Sequence, residues 1–347
     1  MTDEPSRSFD PPAAGRTGPA AAGPGPRGPY HHAAGGFRNP PGSPLAGGSL
    51  LDWTGFFLRH LVGRRPAIAL PAGHVLAPAD VRAGIDGQNG ADSLTWLGHA
   101  SFLIRLDGLT LLTDPFLTDH ASPLAPLGPR RFAPPALRPE QLPRIDVILL
   151  SHGHYDHLDL STIDALPGKA RIRVVVPLGL ARYFTARGYA DVQELDWHQR
   201  TVAQGLRITA LPAIHFSKRT LFDRNRTLWT GYVIESRRRR IYFAGDTAYG
   251  PMFAELAVGL DRFDLALLPI GAYEPRLLMR GSHTTPEEAV QIGLELRAAR
   301  IVGMHWGSIV LTDEPPFEPP ERFRRAAAAA GYGAAAWVMR IGESRRI

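Results

Sequence analysis

From residue 94 onward the chain alternates short apolar runs with turn residues. Runs at 94–97, 101–106, 109–112, 147–150, 172–176, 206–211, 228–234, 241–244, 265–270 and 301–304 are too short for helices and rich in β-formers. They predict strands. Asp107-Gly108, between the second and third runs, is a hairpin signal. Helical stretches lie between some of these strands, and 286–298 is the clearest. Thr285 caps its start, Pro286 fits the first turn, and Glu288 completes a capping box. A second helix runs through the alanines that end at Gly331, a glycine stop. Strands interrupted by helices predict an α/β protein.

Residues 1–48 have no such period. They are rich in Pro, Gly and Ala and begin with polar residues, which predicts a disordered tail rather than a secretory signal. His31 and His32 fall inside it and are expected to be solvated. Residues 49–93 read as a helical and irregular segment, and 94–347 as the main domain. Within 49–65, Leu50, Trp53, Phe57 and Leu61 follow helical spacing. Such a stripe more often packs on a domain than on a membrane surface, although Gly63-Arg64-Arg65 would suit the latter.

Composition narrows the chemistry. With 347 residues the chain can form one large domain or two pseudo-repeated halves around a shared core. It has no cysteine, so a zinc site would have to use His and carboxylate. The formal charge of +6 comes almost wholly from Arg, which fits base composition as well as an anionic membrane or a phosphate-bearing substrate. No nucleic-acid-binding module is present. With no targeting signal or membrane span in the sequence, the expected location is cytoplasmic, with peripheral contact at the inner face of the membrane.

One segment concentrates ligand chemistry. The buried-strand pattern at 146–151 runs straight into His152-Gly153-His154-Tyr155-Asp156-His157. Three His and an Asp within six residues, at a strand end, are the donors that zinc accepts when thiolate is missing. His152 and His154 alternate to one side, and Asp156 and His157 follow the turn, so one loop can serve two adjacent metals. Further donors sit at other strand ends: His215 after 206–214, Asp246 after 241–245, and His305 after 301–304. Alone, each of these His reads equally well as an ordinary core residue or as a ligand. Their recurrence at strand ends strengthens the metal reading.

These residues resemble the metallo-β-lactamase superfamily. Within it, the chain is similar to the family of phospholipases D that hydrolyse N-acyl-phosphatidylethanolamine. The similarity is carried by Trp96-Leu97-Gly98-His99-Ala100-Ser101, Thr113-Asp114-Pro115, Lys218-Arg219-Thr220-Leu221 and Phe243-Ala244-Gly245-Asp246-Thr247. It continues through Gly271-Ala272-Tyr273-Glu274-Pro275-Arg276, His283 and His305-Trp306-Gly307. The resemblance implies a four-layer αββα sandwich holding two divalent metal ions, zinc by donor chemistry. His152, His154 and His215 would hold the first ion; Asp156, His157 and His305 the second; Asp246 would bridge them. The pair would acidify a shared water for attack on phosphorus or a carbonyl carbon. Asp114 and His99 would support the ligands from behind, and His283 would contact the scissile group or donate a proton. Tyr273, Glu274, Arg276 and Lys218 would meet the phosphate head group, with Arg219 beside them.

The reaction implied is cleavage of N-acyl-phosphatidylethanolamine into N-acylethanolamine and phosphatidic acid. A soluble hydrolase of the same fold, acting on a lactone or small phosphodiester, is the alternative. A non-enzymatic scaffold fits poorly with a complete donor set. A β-lactamase fits poorly with the 271–276 and His283 segments.

Overall fold

The short apolar runs pair into two large sheets. A computed structural model describes residues 29–62, 67–88, 90–124 and 128–347. The first 28 residues of the expected tail, and Gly63-Arg64-Arg65, lie outside the described residues. A small hairpin of β1 (His32–Ala33) and β2 (Gly36–Phe37) comes first, followed by α1 (Leu50–Val62) and α2 (Pro78–Asp86). One large sheet is built from β3 (Ser93–Gly98), β4 (Ser101–Leu106), β5 (Leu109–Thr113), β6 (Val147–Leu149), β7 (Arg173–Pro177) and β8 (Asp191–Leu195). Helices α3 (Leu160–Ala165) and α4 (Ala181–Thr185) cross between its parallel strands. The other is built from β9 (Arg200–Ala203), β10 (Leu206–Leu211), β11 (Gly231–Glu235), β12 (Arg240–Phe243), β13 (Leu265–Pro269), β14 (Ile301–Met304) and β15 (Ala336–Trp337). Helices α5 (Met252–Val258), α6 (Arg276–Met279), α7 (Pro286–Glu295) and α8 (Glu318–Ala329) lie between its later strands. The last strand, β16 (Ser344–Arg346), returns to pair with β3.

The strand orders are β16-β3-β4-β5-β6-β7-β8 and β15-β14-β13-β12-β11-β10-β9. In each sheet an antiparallel meander gives way to parallel crossovers, at β5 in one and β12 in the other. One apolar core draws on both sheets, with Leu112, Ile148 and Val174 on one face of the first and Ile208, Ile241 and Leu267 on one face of the second. Central strands β6 and β13 are buried on both faces, because helices cover the sides turned away from the core. Helix α4 packs on β7 and β8, and α7 on β13 and β14. This is the four-layer αββα sandwich.

The pairing directions decide where chemistry can gather. Strands β3, β5 and β6 run the same way, as do β10, β12, β13 and β14. Their C-terminal ends therefore share one edge of each sheet, and the residues just past those ends share one cleft.

Several local expectations need correction. The chain is ordered well before residue 49: His31 is buried, and its imidazole hydrogen-bonds to Asp196. The hairpin's polar groups find partners in distant segments, which composition cannot reveal. In α1, Phe56 is buried and packed on Leu278 and Met279, while Leu50 and Phe57 are exposed. Burying Phe56 is worth roughly 2 kcal/mol. Helix α7 has the expected capping box but stops at Glu295. There Arg297 adopts a left-handed backbone (φ 52°) while the Ala298 N–H bonds to Gly293 O. This is a glycine-type stop made without glycine. Edge strands β8, β9 and β16 escape the apolar pattern because they carry polar and exposed positions, and β15, two residues long, is too short to show one. Among the described residues no helix is long and apolar enough to cross a membrane.

Candidate metal centre

The motif loop is held from several sides. Ser151, just past β6, donates its N–H to Asp114 Oδ1 (2.7 Å) and its hydroxyl to Asp114 Oδ2 (2.6 Å). Tyr232 donates to Leu150 O. Arg219 donates to Gly153 O (2.7 Å) and Leu158 O (2.9 Å) and stacks over the Tyr155 ring. Gly153 separates the two His because a Cβ there would meet Ser217 Oγ at 2.9 Å. Gly245 lets β12 turn beside the loop: it has φ +59°, and a Cβ would lie 2.5 Å from that of Ser151. His99, Asp114 and His305 also take left-handed backbones, at φ 57°, 32° and 62°. Such strain persists only where the surroundings enforce it, and here it turns side chains inward at strand ends.

All seven residues expected as ligands meet in one buried cleft. His154 Nδ1 lies 2.8 Å from His152 Nε2 and 3.2 Å from His215 Nε2. Asp156 Oδ2 lies 3.5 Å from both His157 Nε2 and His305 Nε2. Between the two groups sits Asp246. Its Oδ2 is 3.1 Å from His305 Nε2, 3.2 Å from His157 Nε2, 3.8 Å from His215 Nε2 and 4.0 Å from His152 Nε2.

The backs of these rings are anchored. His157 Nδ1 donates to Asp114 Oδ2 (2.6 Å), His215 Nδ1 donates to Ser282 O (2.9 Å), and His152 Nδ1 meets Ser151 Oγ (2.9 Å). In each case Nε2 is left facing the cleft, an orientation that suits metal binding. His99 Nε2 donates to Asp156 Oδ2 (3.0 Å), and its ring lies 4.0 Å from that of His305. Asp114 and His99 thus sit behind the donors, as expected for supporting residues.

Electrostatics separates the groups. Burial, then the adjacent imidazoles, push His154 down to about 3 and His152 well below its ordinary value. His215 falls to about 4 because burial outweighs Asp246. These three rings are neutral and offer lone pairs. Burial would raise the Asp156 and Asp246 carboxyls, yet His157 and its neighbours hold both well below the carboxylate range. Burial opposes charge on His157 and His305 too, but the carboxylates win: His157 rises well above its usual value and His305 to about 9. Without an ion, protons on His157 and His305 balance the two buried negative charges.

The donor set fits divalent cations. His157 Nε2, His305 Nε2 and Asp246 Oδ1 are buried without a hydrogen-bond partner. Buried polar atoms rarely stay unpaired unless a ligand or ion completes them. Three neutral imidazoles form one group that could hold a metal, and Asp156, His157 and His305 with His99 form another.

His283 also reaches the cleft. It is buried, its Nδ1 has no partner, and that atom lies 3.9 Å from Asp246 Oδ2.

The expected head-group residues depart from expectation. Tyr273 is fully buried, and its hydroxyl donates to Glu318 (2.8 Å). Glu274 accepts from the Arg276 N–H (2.7 Å). Arg276 forks onto Glu288 (2.5 and 2.6 Å) and donates to His283 O (2.7 Å). Their polar groups are taken by the protein, so they brace the His283 loop instead of lining a free pocket. Arg219 likewise clamps the motif loop. Lys218 is half-buried and stays available to an anion.

Asn39 was missed. Its Oδ1 accepts from the His215 N–H (3.0 Å) and from Trp229 Nε1 (3.0 Å). No sequence signal marks it, because the partners lie 176 and 190 residues away.

Comparison with known proteins adds a family context. The family described as a beta-lactamase superfamily domain matches residues 110–306. An uncharacterized protein of Mycobacterium tuberculosis is 38% identical over 268 residues, covering 76% of this chain and 69% of its own length. The N-acyl-phosphatidylethanolamine-hydrolyzing phospholipase D 1 of Caenorhabditis elegans is 40% identical over 242 residues, covering 66% of this chain and 68% of its own. Igni18, a metallo hydrolase of Ignicoccus hospitalis, shares the fold with a TM-score of 0.54 at 23% identity, covering 74% of this chain and 97% of its own.

Proposed function

Because the chain belongs to the metallo-β-lactamase superfamily of metal-dependent hydrolases, we propose that it is a dinuclear phosphodiesterase of the phospholipase D type. Its substrate is N-acyl-phosphatidylethanolamine, and its products are N-acylethanolamine and phosphatidic acid. The observation that carries the dinuclear reading is the Asp246 carboxylate, with one oxygen within 4.0 Å of ring nitrogens from both donor groups. The similarity to the nematode phospholipase supports the substrate.

His152, His154 and His215 would hold one ion, Asp156, His157 and His305 the other, and Asp246 both. Divalent ions, zinc by donor type, would supply Lewis acidity toward a phosphoryl oxygen and acidify water. The chain's own groups do the rest. Asp156 and Asp246 orient a water proton and hold negative charge that the cleft walls keep from solvent. The reaction adds water oxygen to phosphorus and breaks the bond to the N-acylethanolamine oxygen, which must gain a proton. Buried His283, with Nδ1 free of protein partners, would hydrogen-bond that oxygen and relay to it the proton lost by the attacking water. Arg276, bonded to His283 O and Glu288, positions His283. Lys218 meets the phosphate. Peripheral membrane contact is supported by apolar side chains left in solvent, Leu50, Leu51 and Phe57 on α1 and Leu221 and Phe222 near Lys218.

The test is direct. Zinc-loaded protein is offered N-acyl-phosphatidylethanolamine in detergent micelles, with Asp246→Ala as the blank and mass spectrometry as the readout. Release of N-acylethanolamine by the parent alone is expected. Turnover of only a lactone or a small phosphodiester would overturn the lipid substrate and leave a hydrolase.

A further inference from the structure

A second set of metal-type donors lies outside the cleft and shares no residue with it. His31 Nε2 is 2.5 Å from Asp196 Oδ1, and His32 Nε2 is 2.7 Å from Asp196 Oδ2. The donor atoms of all three residues lie within 4.8 Å of one another. We propose that His31, His32 and Asp196 bind a divalent transition ion of the zinc class, which clips the β1–β2 hairpin to the end of β8.

The chemistry matches. Two imidazoles and a carboxylate are the donors that zinc accepts when thiolate is absent. No Lys or Arg pairs with Asp196 among the described residues, and both carboxylate oxygens lie against imidazoles instead. His31 and Asp196 are buried, while the His32 side chain is 39% exposed. That open side gives the ion an entry path and room for water as a further ligand. The rings are held in place beforehand: Trp197 stacks on His31 at 4.2 Å, and Phe37 meets His32 edge-on at 5.2 Å. The Trp197 N–H donates to Asp196 Oδ1 (2.8 Å), fixing the carboxylate. Such backing orients ligands and raises affinity. Binding requires each Nε2 to present a lone pair to the ion in place of its hydrogen bond to the carboxylate.

The site closes a long loop. His31 and Asp196 are 165 residues apart. The hairpin leads directly to Asn39, whose side chain bonds to the His215 N–H. An ion at the hairpin therefore stiffens the segment that backs a residue of the cleft, without touching the cleft.

The test counts metal. Full-length protein is dialysed against micromolar zinc, and bound zinc is measured by mass spectrometry in the parent and in His31→Gln/His32→Gln. Glutamine amides can still donate to Asp196, so the hairpin keeps hydrogen bonds while losing its imidazole ligands. The double variant should hold one equivalent less than the parent. Its zinc-induced rise in melting temperature should also be smaller. A second variant, His152→Ala/His154→Ala, should lose cleft zinc but keep the equivalent that the Gln variant lacks. If the double variant folds poorly, Asp196→Asn should lose the same equivalent. Equal zinc content in the parent and in a folded Gln or Asn variant would overturn the proposal and leave a hydrogen-bonded clamp.

Discussion

Two polar segments, 151–157 and 273–276, are similarly dense in chemistry-bearing residues but differ in what they leave over. In the first, the ring backs are anchored by Asp114 and Ser151, and cleft-facing atoms such as His157 Nε2 have no partner. In the second, Tyr273, Glu274 and Arg276 satisfy Glu318, the 276 N–H, Glu288 and His283 O. Dense polar chemistry alone does not make a site. A site is where a rigid frame leaves buried polar atoms unsatisfied, at a cost that only a ligand can offset.

That contrast can be broken most severely at Asp246. Replacing it with Ala should cut turnover on the order of 10³-fold, the upper range for removing one preorganised charge-stabilising group, and lower bound zinc. Near-normal zinc content and activity would show that the carboxylate joins nothing. Asp114→Asn keeps the shape but weakens the grip on His157. It should cost about 10–100-fold in metal affinity, read by competition with a chelating dye.

The metal-free protein sharpens the electrostatic part. His305 has a folded value of about 9, above the ordinary 6.5. Its contribution to stability is therefore fully present below about pH 6.5 and is lost as pH rises through about 9. Chelator-treated protein should melt at progressively lower temperature across that window, whereas zinc-loaded protein should not. Identical melting profiles would mean that no cation replaces those protons.

The second segment predicts smaller effects. Arg276→Gln should lower kcat about tenfold, less than the roughly 10²–10⁴-fold that loss of a proton-transfer group costs, because His283 remains but is less well held, with KM little changed. A raised KM at constant kcat would restore Arg276 as a head-group contact. Tyr273→Phe removes one hydrogen bond, to Glu318, and should cost about 1 kcal/mol of stability with normal turnover. Denaturant unfolding and a rate assay would check both.

The candidate donors were legible because their information is local. An apolar run followed by His or Asp places that residue at a strand end, and parallel pairing brings such ends to one edge. His152, His154, Asp156, His157, His215, Asp246 and His305 could all be picked out this way, as could the α7 capping box and the Gly331 stop. Asp114 and Thr285 likewise announce themselves through neighbours within a few residues. By itself, then, the sequence determined the fold class and the candidate donors.

Tertiary structure decided which polar groups remained free. Arg276 reads as a phosphate contact until Glu288 is seen to occupy it, and His31 reads as solvated until Asp196 is seen beside it. Asn39 joins the centre through a partner 176 residues away. Backbone periodicity is set by short-range sterics and burial, which leave a pattern along the chain. Hydrogen-bond and charge partners are set by whichever groups the fold brings within about 3 Å, and no spacing in the sequence encodes that.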